Sequence, residues 1–340
     1  MERRLVSTGR WVAFVLGLAC VSPSLAGHPA VFDWTRYGRE HGLAANKVLA
    51  VEAADGEIWA GTPAGLYHRP RAGKFAKVPL GALDSSGILS LKLDRVTKEL
   101  WVGTFEGLAR VSRGRVDVYT QLNSGLVNNV VYSVCVQGPY VWQATAAGVS
   151  RMDTRTGRWA IFNERNSPMK EIWCYGVSWA GDHVYVAVWG GGVMEYKLST
   201  GIWKNYFDPD GEFEIDLFRD DGPTSNITSN IDYDGKHVWV STYFGIARYD
   251  GRRWKEYYQT TGEGLPSDFV NMTRSGPTRV WVCTDRGLAA FDGRIFTHEV
   301  PDVQAHSVAF DGETTVAGTD NGVFVGKMAP SGAAPAGGRK

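Results

Sequence analysis

A short motif recurs along the chain and constrains its fold more than any other feature of the sequence. Seven copies follow one another at intervals of roughly 42 residues, a period typical of proteins built from repeated sheets. The second copy reads ELWVGTFEGLARV and begins at Glu99. Each copy is aligned on an anchor residue that is aromatic in six of the seven; the anchors are Trp59, Trp101, Trp142, Tyr185, Trp239, Trp281 and Val316.

At two of the positions that follow each anchor, only small residues occur. The second position holds Gly, Ala, Ser or Cys, and we expect a large, aromatic side chain of the neighbouring unit to press against the backbone there. The sixth position is always glycine, which predicts a tight hairpin turn with positive φ. These glycines are Gly65, Gly107, Gly148, Gly191, Gly245, Gly287 and Gly322.

The segments around each anchor predict four short antiparallel strands per unit. An alternating run such as SNIDYDGKHVW precedes the anchor, and an aromatic segment such as DTRTGRWAIF follows the second turn. Seven such units predict an all-β fold, a seven-bladed β-propeller with four-stranded antiparallel blades, over residues 27–327. The seventh unit has no aromatic strand after Lys327, whereas AVFDWTRY at residues 30–37 has that character. We therefore expect the N-terminal strand to close the last blade, and residues 328–340 to form a disordered tail.

The first 26 residues differ in character from the rest. A basic start, an apolar run and small residues at Ser24 and Ala26 predict a secretory signal peptide over residues 1–26, and hence a periplasmic or secreted protein. Lipid attachment at Cys20 is the less favoured alternative, because Gly17 stands where such sites usually carry Leu. We expect no transmembrane segment in the mature chain, since the apolar run is too short to span a bilayer.

Charge and cysteine content exclude several classes of function. Lysine and arginine together number 36, as do aspartate and glutamate, so nothing recruits nucleic acid. The mature chain would keep Cys135, Cys174 and Cys283, and this odd number, without a CxxC pair, argues against a disulfide framework or a redox centre. We expect small buried thiols, although one pair could oxidise outside the cytoplasm.

The repeat resembles a known family, the two-component-regulator propeller repeat. The resemblance rests on GLAANKVLAVEAADGEIWAGTPAGL, and on GLVNNVV and GLPSDFV further along the chain. It implies an exported propeller of the kind that forms extracytoplasmic sensors of membrane-bound hybrid histidine kinases and recognises carbohydrate fragments. This sequence shows one ring and no kinase or linking sandwich domain, so the resemblance implies fold and location rather than signal transduction.

The variable loops between the second and third strands hold the candidate binding residues. Such loops share one face of a propeller with the connections between blades, and loops on a rigid ring commonly carry function. Aromatic rings beside single charges suit a carbohydrate or a protein partner, although the rings could instead only pack on the adjacent blade. The candidates are Phe105, Glu106, Trp189, Tyr243, Phe244, Asp285, Arg286 and Asp320, with Trp189, Tyr243 and Phe244 at the centre.

An acidic insertion, FDPDGEFEIDLFRDDGP at residues 207–223, lengthens the interval between the fourth and fifth anchors. Asp208, Asp210 and Glu212 place oxygen ligands at alternate positions, as a calcium loop does, but the full EF-hand pattern is missing. A solvated acidic loop is the favoured interpretation, with a partner-docking loop and a calcium site as the alternatives. We therefore expect no cofactor, with calcium as the one alternative that the sequence suggests.

The sequence thus predicts a non-catalytic, monomeric propeller that binds a protein partner or a glycan through its upper-face loops, with a place in a sensory system as one option. No linear catalytic motif is present. The alternative is a lyase or hydrolase with a site at the central tunnel, because propeller enzymes assemble sites from single residues on different blades. His41 and His306 are the residues that could approach such a site.

Overall fold

Seven four-stranded antiparallel sheets surround a central tunnel, which confirms the predicted propeller. The computed structural model describes residues 31–208 and 222–328. Within each blade the strands are numbered outwards, and the first strands contact one another around the whole ring. The strands are: blade 1, Ala50–Ala54, Glu57–Thr62, Gly65–Arg69 and Ala76–Val78; blade 2, Ile88–Leu93, Leu100–Thr104, Leu108–Ser112 and Arg115–Tyr119; blade 3, Val131–Gln137, Tyr140–Thr145, Gly148–Asp153 and Arg158–Phe162; blade 4, Cys174–Ala180, His183–Val188, Gly192–Lys197 and Ile202–Tyr206; blade 5, Thr228–Tyr233, Val238–Thr242, Gly245–Tyr249 and Trp254–Tyr257; blade 6, Val270–Ser275, Val280–Thr284, Gly287–Phe291 and Phe296–Pro301; blade 7, Ala305–Asp311, Thr314–Thr319, Gly322–Met328 and, from the N-terminus, Phe32–Tyr37.

Helical structure in the described residues is limited to short 3-10 turns at Arg39–His41, Gly81–Leu83 and Gln259–Thr261. None of the helices in these residues has the length and apolar character needed to cross a membrane. The predicted signal peptide and nearly all of the predicted tail lie outside the described residues.

The N-terminal strand closes the ring as predicted. Phe32–Tyr37 pairs antiparallel with Gly322–Met328, from Phe32 opposite Met328 to Tyr37 opposite Val323. Blade 6 also holds this strand, because the buried Glu299 carboxylate accepts the backbone N–H groups of Val31 and Phe32, each at 3.2 Å. The first and last segments of the ring are therefore joined in one complete sheet, in which Phe32–Tyr37 covers the edge of the Gly322–Met328 strand.

The turns between second and third strands require glycine for two physical reasons. Gly245 has φ of +100°, which disfavours any residue with a Cβ, and a Cβ there would lie 2.5 Å from the Tyr257 carbonyl oxygen of the fourth strand. The preceding Thr242 completes the turn, since its hydroxyl donates to the Gly245 carbonyl at 2.9 Å and accepts the Phe244 N–H at 3.0 Å. The same two hydrogen bonds are made in other blades by the hydroxyl groups of Thr62, Thr104, Thr145, Thr284 and Thr319.

Blade 4 departs from this turn. Val188 replaces the threonine, and one extra residue shifts the positive φ from the expected Gly191 to Gly190 and Gly192, both at +71°. The prediction for Gly191 was wrong, because it counted a fixed offset through a longer turn. Thr228 of blade 5 supplies the missing hydroxyl and donates to the Gly192 carbonyl at 3.2 Å.

The small residue after each anchor makes room for the next blade, but the expected aromatic contact was wrong. A Cβ at Gly61 would lie 2.5 Å from Ile88, the first residue of blade 2. A Cβ at Gly103 would likewise approach Val131 of blade 3, and one at Gly318 would approach Val48 at the start of blade 1. A compact β-branched side chain therefore fills each of these blade interfaces, as suits a densely packed core.

Two of the three described cysteines are buried as expected and all three are free. Cys174 and Cys283 lie within blade interfaces, and burial raises the pKa of both thiols. Cys135 differs because it is only partly buried and lines the tunnel.

Candidate functional site

The turns that carry the predicted residues form one face of the ring, here called the upper face. In six of the blades, the first residue after the second strand donates its backbone N–H to the backbone carbonyl of the residue immediately before the first strand. Trp189 donates to Trp173 at 2.9 Å and Tyr243 to Ile227 at 3.3 Å in this way. Each turn is thus attached to the connection from the preceding blade, which holds its side chains in fixed positions over the tunnel rim.

Trp189 and Tyr243, two of the three central candidates, are in contact. Their ring centroids lie 4.9 Å apart in an edge-to-face arrangement, although they come from different blades. Tyr243 also stacks on Phe269, with centroids 3.8 Å apart. On the other side, Trp189 contacts Tyr175 at 5.1 Å, and Tyr175 stacks on Tyr132 at 4.3 Å.

These five rings form a continuous row across blades 3 to 6, which we call the aromatic arc. Its members are Tyr132, Tyr175, Trp189, Tyr243 and Phe269, and all are half-buried. Burial is the main cause that raises the pKa of Tyr175, to about 12, and that of Tyr243. Both phenols are therefore protonated at neutral pH and can donate hydrogen bonds beside an apolar ring face.

Sequence reasoning missed Tyr132, Tyr175 and Phe269. Tyr132 sits in a β-bulge between Val131 and Ser133, and Tyr175 occupies the equivalent bulge in blade 4. Such a bulge re-aims one side chain, and both rings take part in the arc beside the tunnel rim. The available signal was an aromatic residue one position after the buried start of a first strand, which simple alternation does not distinguish from a core position.

An exposed tryptophan and a cation adjoin the arc. Trp173 is 52% exposed, and its backbone carbonyl accepts the backbone N–H of Trp189, which places an exposed tryptophan next to the arc on blade 4. Lys170, in the same connection, places its ammonium 5.4 Å from the ring centroid of the partly exposed Phe207. The blade 4 side of the upper face therefore offers several rings with a charge at the margin.

The other predicted residues lie around the arc rather than in it. Phe244 is half-buried in the Tyr243 turn, and Phe105 is 51% exposed over Gly87 of blade 2, with Glu106 exposed beside it. Asp285 and Arg286 flank the end of the arc, because the Asp285 N–H donates to the Phe269 carbonyl at 3.3 Å. Asp320 accepts the Gln304 N–H at 3.1 Å on blade 7. That these residues bind a ligand stays a prediction.

The acidic insertion leaves and re-enters the upper face at one point. Asn226 holds the two ends together, accepting the Asp208 N–H and donating to the Asp208 carbonyl, both at 2.8 Å. Asp208 is buried, whereas Asp210 and Glu212 lie outside the described residues. The calcium site stays a prediction, which thermal unfolding with and without EDTA would test.

The two histidines considered for a catalytic site have different surroundings. His41 lies between blades 7 and 1, where its Nδ1 accepts the Gly38 N–H at 3.1 Å. His306 occupies the bulge of blade 7, and burial, together with the Lys47 charge, lowers its pKa to about 4. Within residues 31–208 and 222–328, no three His, Cys, Asp or Glu side chains are grouped as metal ligands would be.

No protein-family model and no curated protein matches the sequence. Among solved structures, the extracellular domain of a putative hybrid two-component system from B. thetaiotaomicron is similar over 88% of this chain and 42% of its own, at 18% identity and a TM-score of 0.71. Virginiamycin B lyase from Staphylococcus aureus is similar over 88% of this chain and all of its own (100%), at 14% identity and a TM-score of 0.68. PorZ, a surface component of the type-IX secretion system of Porphyromonas gingivalis, is similar over 88% of this chain and 40% of its own, at 13% identity and a TM-score of 0.60.

At these identities the likeness shows the propeller fold alone. The chain spans 42% of the length of that extracellular domain, so the whole protein's activity does not transfer. The same fold is found in an extracellular domain of a putative two-component system, a secretion component and a lyase, so function must be argued from the site.

Proposed function

We propose that this protein is an exported, non-catalytic binding propeller that recognises a glycan or a protein partner through its upper face. The observation that carries the proposal is the aromatic arc, in which five rings from four blades touch in one unbroken row. Rings from distant parts of the chain meet here although their blades pack through separate cores. Partly exposed aromatic rings on a rigid scaffold are typical of binding surfaces.

The chemistry of the arc favours a glycan over a protein partner. Each contact in the row pairs a tyrosine with another ring, so ring faces and protonated hydroxyl groups lie side by side. Sugars present apolar C–H faces between hydroxyl groups, which complements such a row. The rings are held by mutual packing, so little side-chain entropy is lost when a ligand binds.

The comparisons and the resemblance support the proposal at a coarser level. Sensor extracellular domains and a bacterial surface component have this fold, in keeping with a protein that works outside the cytoplasm. We include in the proposal that the protein is periplasmic or secreted, acts as a monomer and binds no nucleic acid.

A glycan array combined with pull-down and mass spectrometry would test the proposal. We expect the wild-type protein to retain a glycan, and Trp189→Ala or Tyr175→Ala to weaken binding at least about tenfold, as loss of a central aromatic contact does. Trp179→Ala is the matched control, because Trp179 lies at the opposite end of the Tyr175 strand and is 41% exposed. Capture of a protein by the same rings would replace the glycan by a protein partner, and equal binding by all variants would refute the site.

His306 is the observation that favours the enzyme alternative. Its Nε2 is buried and has no hydrogen-bond partner among the described residues, and it lies in the first strand of blade 7, among the strands that surround the tunnel. Turnover in a screen of glycan and ester substrates that is lost in His306→Gln would establish a lyase or hydrolase. The lowered pKa makes His306 neutral at pH 7 and a weak base, which argues for the binding function first.

A further inference from the structure

A cavity lies at the end of the tunnel opposite the upper face, and the proposed binding function does not use it. Its volume is about 520 Å³, within the range of small-molecule sites. It lies between the first turn of blade 2, which includes Arg95, and the corner of blade 3 around Pro139 and Val141. Inwards it reaches the tunnel wall at Lys92 and Arg274.

At this depth the tunnel wall consists of the first-strand residues that lie opposite the seven anchors in the β-sheet register. Lys92 lies opposite Trp101 and Arg274 opposite Trp281, and Glu52 lies opposite Trp59 in the same ring. Glu52 is 2% exposed and is shared by two guanidinium groups, from Arg274 at 3.2 Å and from Arg95 at 3.5 Å. One buried carboxylate thus serves two cations.

The charges that line the cavity do not balance. Four cationic and three anionic side chains line it. All three carboxylates have partners. Glu52 pairs with Arg274 and Arg95, Asp94 accepts the Val96 N–H at 2.8 Å, and Glu99 forms an ion pair with Arg110 at 3.7 Å. Lys92, by contrast, has an ammonium without an ion pair or hydrogen bond to any part of the chain that the structure describes.

Asp232, the remaining acid of the ring, forms no ion pair with Lys92 in the described residues, although its carboxyl group is close enough to feel the Lys92 charge. Asp232 accepts the Ser275 N–H at 2.7 Å, and burial raises the pKa of its carboxyl group. Lys92 is half-buried in the cavity wall, so its unpaired ammonium is available to an anionic ligand in the cavity.

We propose that this cavity binds a small organic monoanion, with its carboxylate held between Lys92 and Arg95. The single excess positive charge matches a carboxylate better than a phosphate dianion. Arg95 is half-exposed at the rim; its Nη2 already donates to the Ala53 and Phe310 carbonyls, each at 2.8 Å, and its remaining N–H groups can donate to a carboxylate. Leu93, Pro139 and Val141 offer an apolar wall for the body of the ligand.

Isothermal titration calorimetry on the whole protein would test this site with acetate, benzoate and glucuronate, and with acetamide, benzamide and glucose as their respective neutral counterparts. We expect at least one of the three carboxylates to bind and its neutral counterpart not to bind. Lys92→Met and Arg95→Gln should each weaken binding about tenfold, the usual scale for loss of one charge-assisted contact. Lys98→Met is the matched control, because Lys98 is exposed, pairs with Asp55 and does not line the cavity.

Urea unfolding of Lys92→Met and of Arg95→Gln guards against misfolding of either variant, since the Arg95 guanidinium also donates to the Ala53 and Phe310 carbonyls. Binding of carboxylate should survive Trp189→Ala, which separates this site from the upper-face function. Absence of binding by all three carboxylates, equal binding of the neutral compounds, or undiminished binding by Lys92→Met and Arg95→Gln would overturn the proposal.

Discussion

Replacing Gly245 by alanine tests why the repeat requires glycine at the turn beside the aromatic arc. The matched variant is Gly251→Ala in the same blade. Both glycines have positive φ, +100° and +92°, so both substitutions carry the cost of placing an alanine in the left-handed region, about 1–2 kcal/mol. The two sites differ in space: a Cβ at Gly245 would lie 2.5 Å from the Tyr257 carbonyl oxygen, whereas a Cβ at Gly251 would have nothing within 4 Å.

The close approach at Gly245 can be relieved only by moving the fourth strand or the turn. Shifts of packed backbone of this kind cost about 1–3 kcal/mol. We therefore expect Gly245→Ala to lower the free energy of unfolding by about 2–5 kcal/mol and Gly251→Ala by about 1–2 kcal/mol. Urea unfolding followed by tryptophan fluorescence measures both values. Equal losses in the two variants would refute the idea that the fourth strand presses on the turn.

Three further predictions concern closure, the turn hydroxyl and pH. Phe32 is 8% exposed, and its ring centroid lies 4.9 Å from that of Trp281. Phe32→Ala should therefore lower the free energy of unfolding, measured in urea, by about 3–5 kcal/mol, whereas Phe105→Ala at an exposed site should lower it by less than about 1 kcal/mol. Similar losses in the two variants would contradict closure of the ring by the N-terminal strand. Thr242→Val removes three hydrogen bonds, with Gly245, Phe244 and Thr224, and should cost about 1–3 kcal/mol. Thr156→Val removes an exposed hydrogen bond, from the Arg158 N–H, and should change stability little; the reverse order would contradict the role of the turn hydroxyl. Because the pKa of folded His306 lies below the unfolded value of 6.5, protonation favours the unfolded chain, so stability should fall as pH drops from 6.5 towards 4. His306→Gln should flatten that part of the pH profile, and an unchanged slope would show that His306 does not cause it.

The fold was predictable because its signals are local and repeated. The anchor at Trp239 and the turn at Gly245 each specify a strand pair within a few residues, and seven copies confirm one another. Closure by Phe32–Tyr37 was predictable for the same reason, since one strand was missing at one end of the chain and present at the other. The contact at Gly61 could not be read in this way, because Ile88 belongs to the next blade and its position depends on the blade crossing angle.

The candidate site was predictable only in part. Trp189 and Tyr243 occupy variable turn positions and could be identified against a constant scaffold. Tyr132 and Tyr175 could not, because the bulges that re-aim their rings leave no clear mark in the alternating pattern. The charge imbalance around Lys92 was equally hidden, since it depends on partners from blades 1 and 6 that only ring closure brings together.

Hydrogen–deuterium exchange with and without the captured ligand tests the central claim, that the aromatic arc is the binding surface. We expect slower exchange at the upper ends of the first strands of blades 3 and 4, around residues 131–133 and 174–176, and at the turns that carry Trp189 and Tyr243. The lower-face turns, such as residues 234–237 and 250–253, should exchange at unchanged rates. Protection confined to the lower-face turns, with none along the arc, would contradict the account.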